Sequence, residues 1–152
     1  MTVADGGLTI RLEREDDDRV VREIISRLVQ YNERHVIPEG ARRLVMTVRG
    51  PDDDLLGGLH GITRWNWLFV DHLWLADELR GRGMGRELLR RAETEAIGRG
   101  CQHAYLDTFS FQARGFYERL GYELFGTLED FPPGHARYFL QKRDIDRKTE
   151  AG

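Results

Sequence analysis

"RGRGMGRELLRR", Arg80–Arg91, alternates Gly81, Gly83 and Gly85 with arginine or methionine just ahead of a run with helical spacing. Each ordered glycine costs about 0.5–1 kcal/mol relative to alanine, because it surrenders more backbone freedom. A turn needs one or two of them, so three point to something that must come close to the backbone. Upstream, "WNWLFVDHLWLA" (Trp65–Ala76) is apolar on both alternating faces, the pattern of a central strand covered on both sides. Downstream, Met84, Leu88, Leu89, Ala92 and Ala96 form one helical face, closed by Gly98 and Gly100. Strand, glycine-rich turn and helix together offer free backbone N–H groups and a positive dipole end to an anion. Arg80, Arg82 and Arg86 add charge suited to a multiply phosphorylated ligand.

Two common nucleotide motifs fail on this stretch. A Walker-type loop needs a lysine that is absent here. A dinucleotide fingerprint would need glycine where Arg86 or Leu88 stands.

Outward from the loop, the rest of the chain reads as one α/β domain. "LTIRLER" (Leu8–Arg14) alternates as a short strand, and the acidic run Glu15–Asp18 then supplies caps for an amphipathic helix reaching about Arg34. Arg42–Val48 and Asp54–Trp65 read as antiparallel strands around the turn residues Gly50-Pro51-Asp52-Asp53. His103–Phe109 is a strand, followed by a short helix from about Phe111 to Leu120 with Ser110 as its N-cap. "YELFGTL" and "ARYFLQK" close the sheet across a loop carrying Pro132, Pro133 and Gly134. The expected order is strand, helix, three strands, helix, strand, helix, two strands, giving a mixed, mostly antiparallel sheet flanked by helices. The domain is expected over residues 1–143, with 144–152 as a polar tail.

At 152 residues there is room for one core, and 23 basic against 26 acidic residues give a formal net charge of −3. That balance argues against a nucleic-acid partner. Without a signal peptide or apolar span, no membrane partner is expected and the cytoplasm is the default. The lone Cys101 excludes an internal disulfide and multi-cysteine zinc sites, and none of the five histidines has metal-type spacing to another. Metal ligands are therefore expected to be none.

The loop resembles the acyl-coenzyme A loop of the GNAT N-acetyltransferases, Arg/Gln-x-x-Gly-x-Gly/Ala, matched by Arg80, Gly83 and Gly85. A second block, "FSFQARGFYERLGYELFG" (Phe109–Gly126), is similar to the family's later motif, with Ala113, Phe116, Tyr117, Gly121 and Tyr122 at matching spacing. Many relatives carry asparagine where Ser110 stands. The resemblance covers about Leu55 to Lys142 and implies a GNAT-like fold, acetyl-coenzyme A as co-substrate, and acetyl transfer to an amine. It implies that Arg80, Gly81, Arg82, Gly83, Met84, Gly85, Arg86 and Ser110 bind the cofactor. Leu73 and Leu75 are implied to pair with the pantetheine arm, with a backbone N–H near Leu75 polarising the thioester.

Acetyl transfer from a thioester needs a neutral amine, a polarised carbonyl and a proton for the departing thiolate. Tyr117 is expected to supply that proton, since a phenol and a thiol have comparable acidities, and the resemblance implies that it lies beside the coenzyme A sulfur. Asp71 and His72 are the candidate bases, and strict strand alternation places them on opposite faces. An imidazole suits the task near neutral pH, whereas a carboxylate does so only when desolvated. Tyr31, Asn32, Trp65, Trp67, Glu129, Asp130, Phe131 and His135 are candidates for recognising the acceptor. The expected function is N-acyl transfer, by direct transfer in a ternary complex, to a small-molecule or peptide amine. The alternative is a non-catalytic acyl-coenzyme A sensor of the same fold. A longer acyl donor and a homodimer are both left open.

Overall fold

Trp65 and Asn66 both adopt positive φ (44° and 64°), as a two-residue hairpin turn requires when it follows the twist of its strands. That turn joins β4 to β5 in a six-stranded sheet. In the computed structural model, which describes residues 3–147, the chain divides into two units, Met1–Pro38 and Glu39–Gly152. The smaller unit holds β1 (Val3–Asp5), β2 (Leu8–Ile10) and α1 (Asp18–Asn32). The larger holds β3 (Arg42–Arg49), β4 (Leu55–Arg64), β5 (Trp67–Leu75), α2 (Met84–Gly98), β6 (His103–Phe109), α3 (Arg114–Arg119), β7 (Glu123–Glu129) and β8 (Ala136–Lys142). A single 3-10 turn, Asp77–Leu79, precedes the glycine loop.

In the smaller unit, the expected strand Leu8–Arg14 is instead the second arm of a hairpin that ends at Ile10. Gly6 and Gly7, both at positive φ, make the reversal that pairs it with β1. The acidic run does cap α1: the Asp17 carboxylate accepts from the N–H groups of Arg19 and Val20.

In the larger unit the strands run in the order β3-β4-β5-β6-β8-β7. All neighbours are antiparallel except β5 and β6. This is the mixed α/β sheet expected from the order of elements. Helix α2 lies against β3, β4 and β5, burying Leu88, Leu89, Ala92 and Ala96 on the face its spacing marks out. Leu44, Leu59, Leu68, Leu106 and Leu140 supply the strands' share of that core, and Cys101 is buried with them.

Helices α2 and α3 end in the same way. Gly100 (φ 91°) and Gly121 (φ 95°) turn the chain. The next residue returns a hydrogen bond to the last turn: Cys101 N–H to the Ala96 carbonyl (2.9 Å), and Tyr122 N–H to the Tyr117 carbonyl (3.1 Å). This is the Schellman closure, which brings the residue after the glycine against the residue five positions back. At α3 those residues are Tyr122 and Tyr117, whose rings meet edge to face at 6.1 Å. Thus "YERLGY" fixes the orientation of Tyr117 through local backbone chemistry.

The chain after β8 is tied down as far as the structure describes it. Asp144 N–H donates to His103 Nδ1 and Ile145 N–H to the Gln102 carbonyl, with Ile145 packed on the core. The rest of the expected polar tail, 148–152, lies outside the described residues. Among the described residues no helix is long and apolar enough to cross a membrane.

Candidate active site

The parallel ladder between β5 and β6 runs only from Trp67–His103 to Val70–Leu106. Beyond Val70, β5 keeps partners on β4 alone, and beyond Leu106, β6 keeps partners on β8 alone. The two strands splay, and the edge of β5 from Asp71 to Leu75 loses its neighbour. A cavity of about 1170 Å³ opens between them. One wall is β5 from Val70 to Leu75; the other is the end of β6 with Phe111, Gln112, Phe116 and Tyr117. The glycine loop closes one end.

At that loop the three glycines serve different ends. Gly81 and Gly83 have φ of 75° and 78°, and a Cβ on either would meet nothing within 4 Å. They are there for the left-handed backbone and the open space over it. Gly85 is packed: a Cβ there would lie 3.3 Å from the Phe116 ring and 3.4 Å from Leu75 Cδ1. Gly83 is the N-cap of α2 and offers no side chain. The N–H groups of Met84, Gly85 and Arg86 have no partner among the described residues. A helix start with free amides beside a cavity has the donors and the dipole end that an anion needs.

Most expected cofactor residues line the cavity: Leu73, Leu75, Arg80, Gly81, Gly83, Met84, Gly85 and Arg86. Arg82 and Ser110 do not. Ser110 is also not the N-cap of α3, which starts at Arg114 after Ala113 without a side-chain cap. The serine hydroxyl instead accepts from Ala136 N–H (3.1 Å) and meets His135 Nδ1 (3.3 Å), so it joins the end of β6 to the start of β8. Gln112 ties the loop ahead of α3 back to the end of β6: its Oε1 accepts from the Phe109 N–H (2.8 Å) and the Thr108 hydroxyl (3.1 Å).

Tyr117 lines the cavity and is nearly buried, at 9% exposure. Burial pushes its phenol above the ordinary tyrosine value, and the negative charge of Asp107 pushes the same way. The phenol therefore holds its proton at neutral pH. Asp107 itself is paired with Arg137 at 2.9 Å, and both line the cavity.

Asp71 and His72 do not point to opposite faces as strict alternation predicts. The β4–β5 ladder pairs Gly61 with Val70 but His60 with His72, leaving Asp71 as an extra residue. Such a bulge bends the strand and brings two consecutive side chains to one side. Asp71 Oδ2 lies 3.6 Å from His72 Nδ1 and 3.8 Å from His60 Nδ1. The two Nδ1 atoms are 3.4 Å apart, with the rings stacked at 17°. His60, not singled out in the sequence, is the third member of the cluster. The sequence signal for it is the Trp65-Asn66 turn, since counting outward along a regular hairpin sets position 60 opposite 71.

The acceptor candidates scatter. Trp67 packs on His103 and Tyr105 at the other end of β5. Tyr31 and Asn32 belong to the smaller unit. Phe131 stacks on Phe109, which stacks on Phe111, with interplanar angles of 8° and 1°. Phe109, Phe111 and the half-exposed Trp74 present aromatic faces to the cavity, a signal that depends on register and is invisible in composition.

Residues 13–122 match the family model described as the acetyltransferase (GNAT) family. Over 94 residues the chain is 44% identical to a blasticidin-S acetyltransferase of Streptomyces morookaense, spanning 61% of this chain and 69% of that protein. An acetyltransferase of Agrobacterium fabrum is 39% identical over 116 residues, 76% of this chain and 85% of that one. The crystal structure of an acetyltransferase from Bacillus cereus superposes with a TM-score of 0.80 at 31% identity, covering 88% of this chain and 97% of the other.

Proposed function

The chain belongs to the acetyltransferase (GNAT) family, and on that premise we propose that it transfers the acetyl group of acetyl-coenzyme A directly to a primary amine, both bound in the splayed cleft. The observation that carries this reading is one continuous cavity joining the anion cradle, the free edge of β5, Tyr117 and the Asp71–His72 cluster. The amides of Met84, Gly85 and Arg86 hold the pyrophosphate, with Arg80 and Arg86 adding charge. The pantetheine arm pairs with β5 between Leu73 and Leu75, where the strand has lost its neighbour.

In the transfer, the amine nitrogen attacks the thioester carbonyl and loses a proton to His72 or Asp71, directly or through one water. A backbone N–H near Leu75 stabilises the oxyanion of the tetrahedral intermediate. The carbon–sulfur bond then breaks, and the thiolate takes its proton from Tyr117. Cys101 takes no part, because it is buried at the far end of β6 and burial raises its thiol.

The acceptor is read as a small antibiotic-type amine, supported by the relative named for blasticidin S and by aromatic side chains that line the same cavity as the Asp71 carboxylate. The test is a panel of amines, blasticidin S first, with acetylated product read by mass spectrometry. An amine from this class acetylated at least tenfold faster than peptide N-termini or lysine peptides supports the reading. Tight binding of acetyl-coenzyme A with no acetylated amine anywhere in the panel contradicts it.

A further inference from the structure

Three ligand-type atoms converge at the β5 bulge: His60 Nδ1, His72 Nδ1 and Asp71 Oδ2, separated by 3.4, 3.6 and 3.8 Å. We propose that these residues bind a divalent cation of the zinc class at the acceptor end of the cleft, and that the bound cation stops acetyl transfer. The second half rests on the reading of Asp71 and His72 as the proton-accepting groups.

The geometry selects the kind of ion. Zinc held by imidazole and carboxylate at roughly 2.0–2.2 Å in a tetrahedron has ligand–ligand edges of about 3.3–3.5 Å. The three separations lie at or slightly above that edge, so a contraction of a few tenths of an ångström closes the site. An octahedral magnesium ion has edges nearer about 3 Å and disfavours imidazole. The donor set, two nitrogens and one oxygen, points the same way. The two Nδ1 atoms are also further apart than a good N–H···N hydrogen bond, so the pair is poorly satisfied without a third partner between its lone pairs.

The bulge is what builds the site. In a regular ladder Asp71 and His72 would face opposite sides, and only one could join His60. Asp71 and His72 both line the cavity, so the cation's fourth position is reached from the cleft, where the acceptor amine is proposed to lie. Once the metal holds the two Nδ1 lone pairs neither imidazole can take the amine proton, and the coordinated Asp71 carboxylate becomes a much weaker base.

The test titrates zinc chloride, and magnesium chloride as a control, into the metal-free protein in a calorimeter with no coenzyme A or amine present. Expected is one zinc per chain, no magnesium binding, and at least about 10-fold weaker zinc binding in His60→Ala and in Asp71→Asn. Losing even an outer partner of a ligand costs about that much. Circular dichroism establishes that each variant is folded, and His35→Ala, remote in sequence and in the other unit, should bind zinc as wild type does. Cobalt substitution should give the visible spectrum of a four-coordinate ion. No zinc heat, or unchanged affinity in both cluster variants, overturns the site. Turnover is read as acetylated amine by mass spectrometry, because the thiol product itself binds zinc. Inhibition at stoichiometric zinc, reversed by chelator, is expected, and full turnover with zinc bound overturns the inhibitory half. Because binding is read without substrates, its failure is separable from failure of the transferase reading.

Discussion

Burial of Tyr117 keeps its proton available but makes the phenol a weaker acid than a free tyrosine. In the proposed step the proton passes from the phenol to the departing thiolate, the negative charge passes to the phenolate oxygen, and solvent reprotonates the phenolate before the next turnover. Tyr117→Phe removes one hydroxyl and almost no volume. Turnover is expected to fall about 10²–10⁴-fold, the usual worth of a general acid, with acetyl-coenzyme A affinity held within a few-fold. The phenol's pKa is raised, so the acid form persists through neutral pH and is lost only as pH rises past the ordinary tyrosine range. The alkaline limb of the kcat profile should therefore lie above that range in the wild type and vanish in the variant. A phenylalanine variant with near wild-type kcat, on an amine for which chemistry limits the rate, would leave Tyr117 a core aromatic. At this same scale the sequence misleads about Asp71 and His72. Alternation is a sound rule for regular strands, but nothing in "FVDHLW" announces the extra residue that turns both side chains one way.

Among the elements, the glycine loop reads in the sequence as an anion site, and its three glycines are not equivalent in the structure. Gly81 and Gly83 need a positive φ over open space, while Gly85 needs room beside Phe116 and Leu75. A valine at position 83 would combine backbone strain with crowding of the ligand. Asparagine tolerates the left-handed region and separates the two effects. Gly83→Asn is expected to keep thermal stability within about 1 kcal/mol, against a larger loss for Gly83→Val, since a β-branched residue resists positive φ. Both should weaken coenzyme A binding about tenfold or more in calorimetry, because each places a side chain where phosphate must approach. Gly83→Asn binding coenzyme A as wild type does would move the cradle elsewhere. Elements with one clear period, such as α2 and β6, were readable almost to their ends. Ser110 was misread because a hydroxyl ahead of a helix also serves as a strand-to-strand tie, and only the β6–β8 register decides which. The β1–β2 hairpin was missed because three-residue strands carry too little alternation to register.

Across the whole molecule, the order of strands and helices could be inferred from the chain, but the splay between β5 and β6 could not. It depends on where the parallel ladder stops, at Val70–Leu106, next to the bulge at Asp71 and where β6 goes on paired with β8 alone. The splay makes the free edge of β5 one wall of the cleft, which on the proposed reading holds thioester and amine together. The most direct test of this account is a matrix of initial rates with acetyl-coenzyme A and the acceptor amine varied together. Direct transfer in a ternary complex predicts double-reciprocal lines that intersect. It also predicts no acetyl-protein adduct by intact-mass measurement when acetyl-coenzyme A is supplied alone. Parallel lines, with an acetylated protein that passes its acetyl group to amine added later, would contradict it.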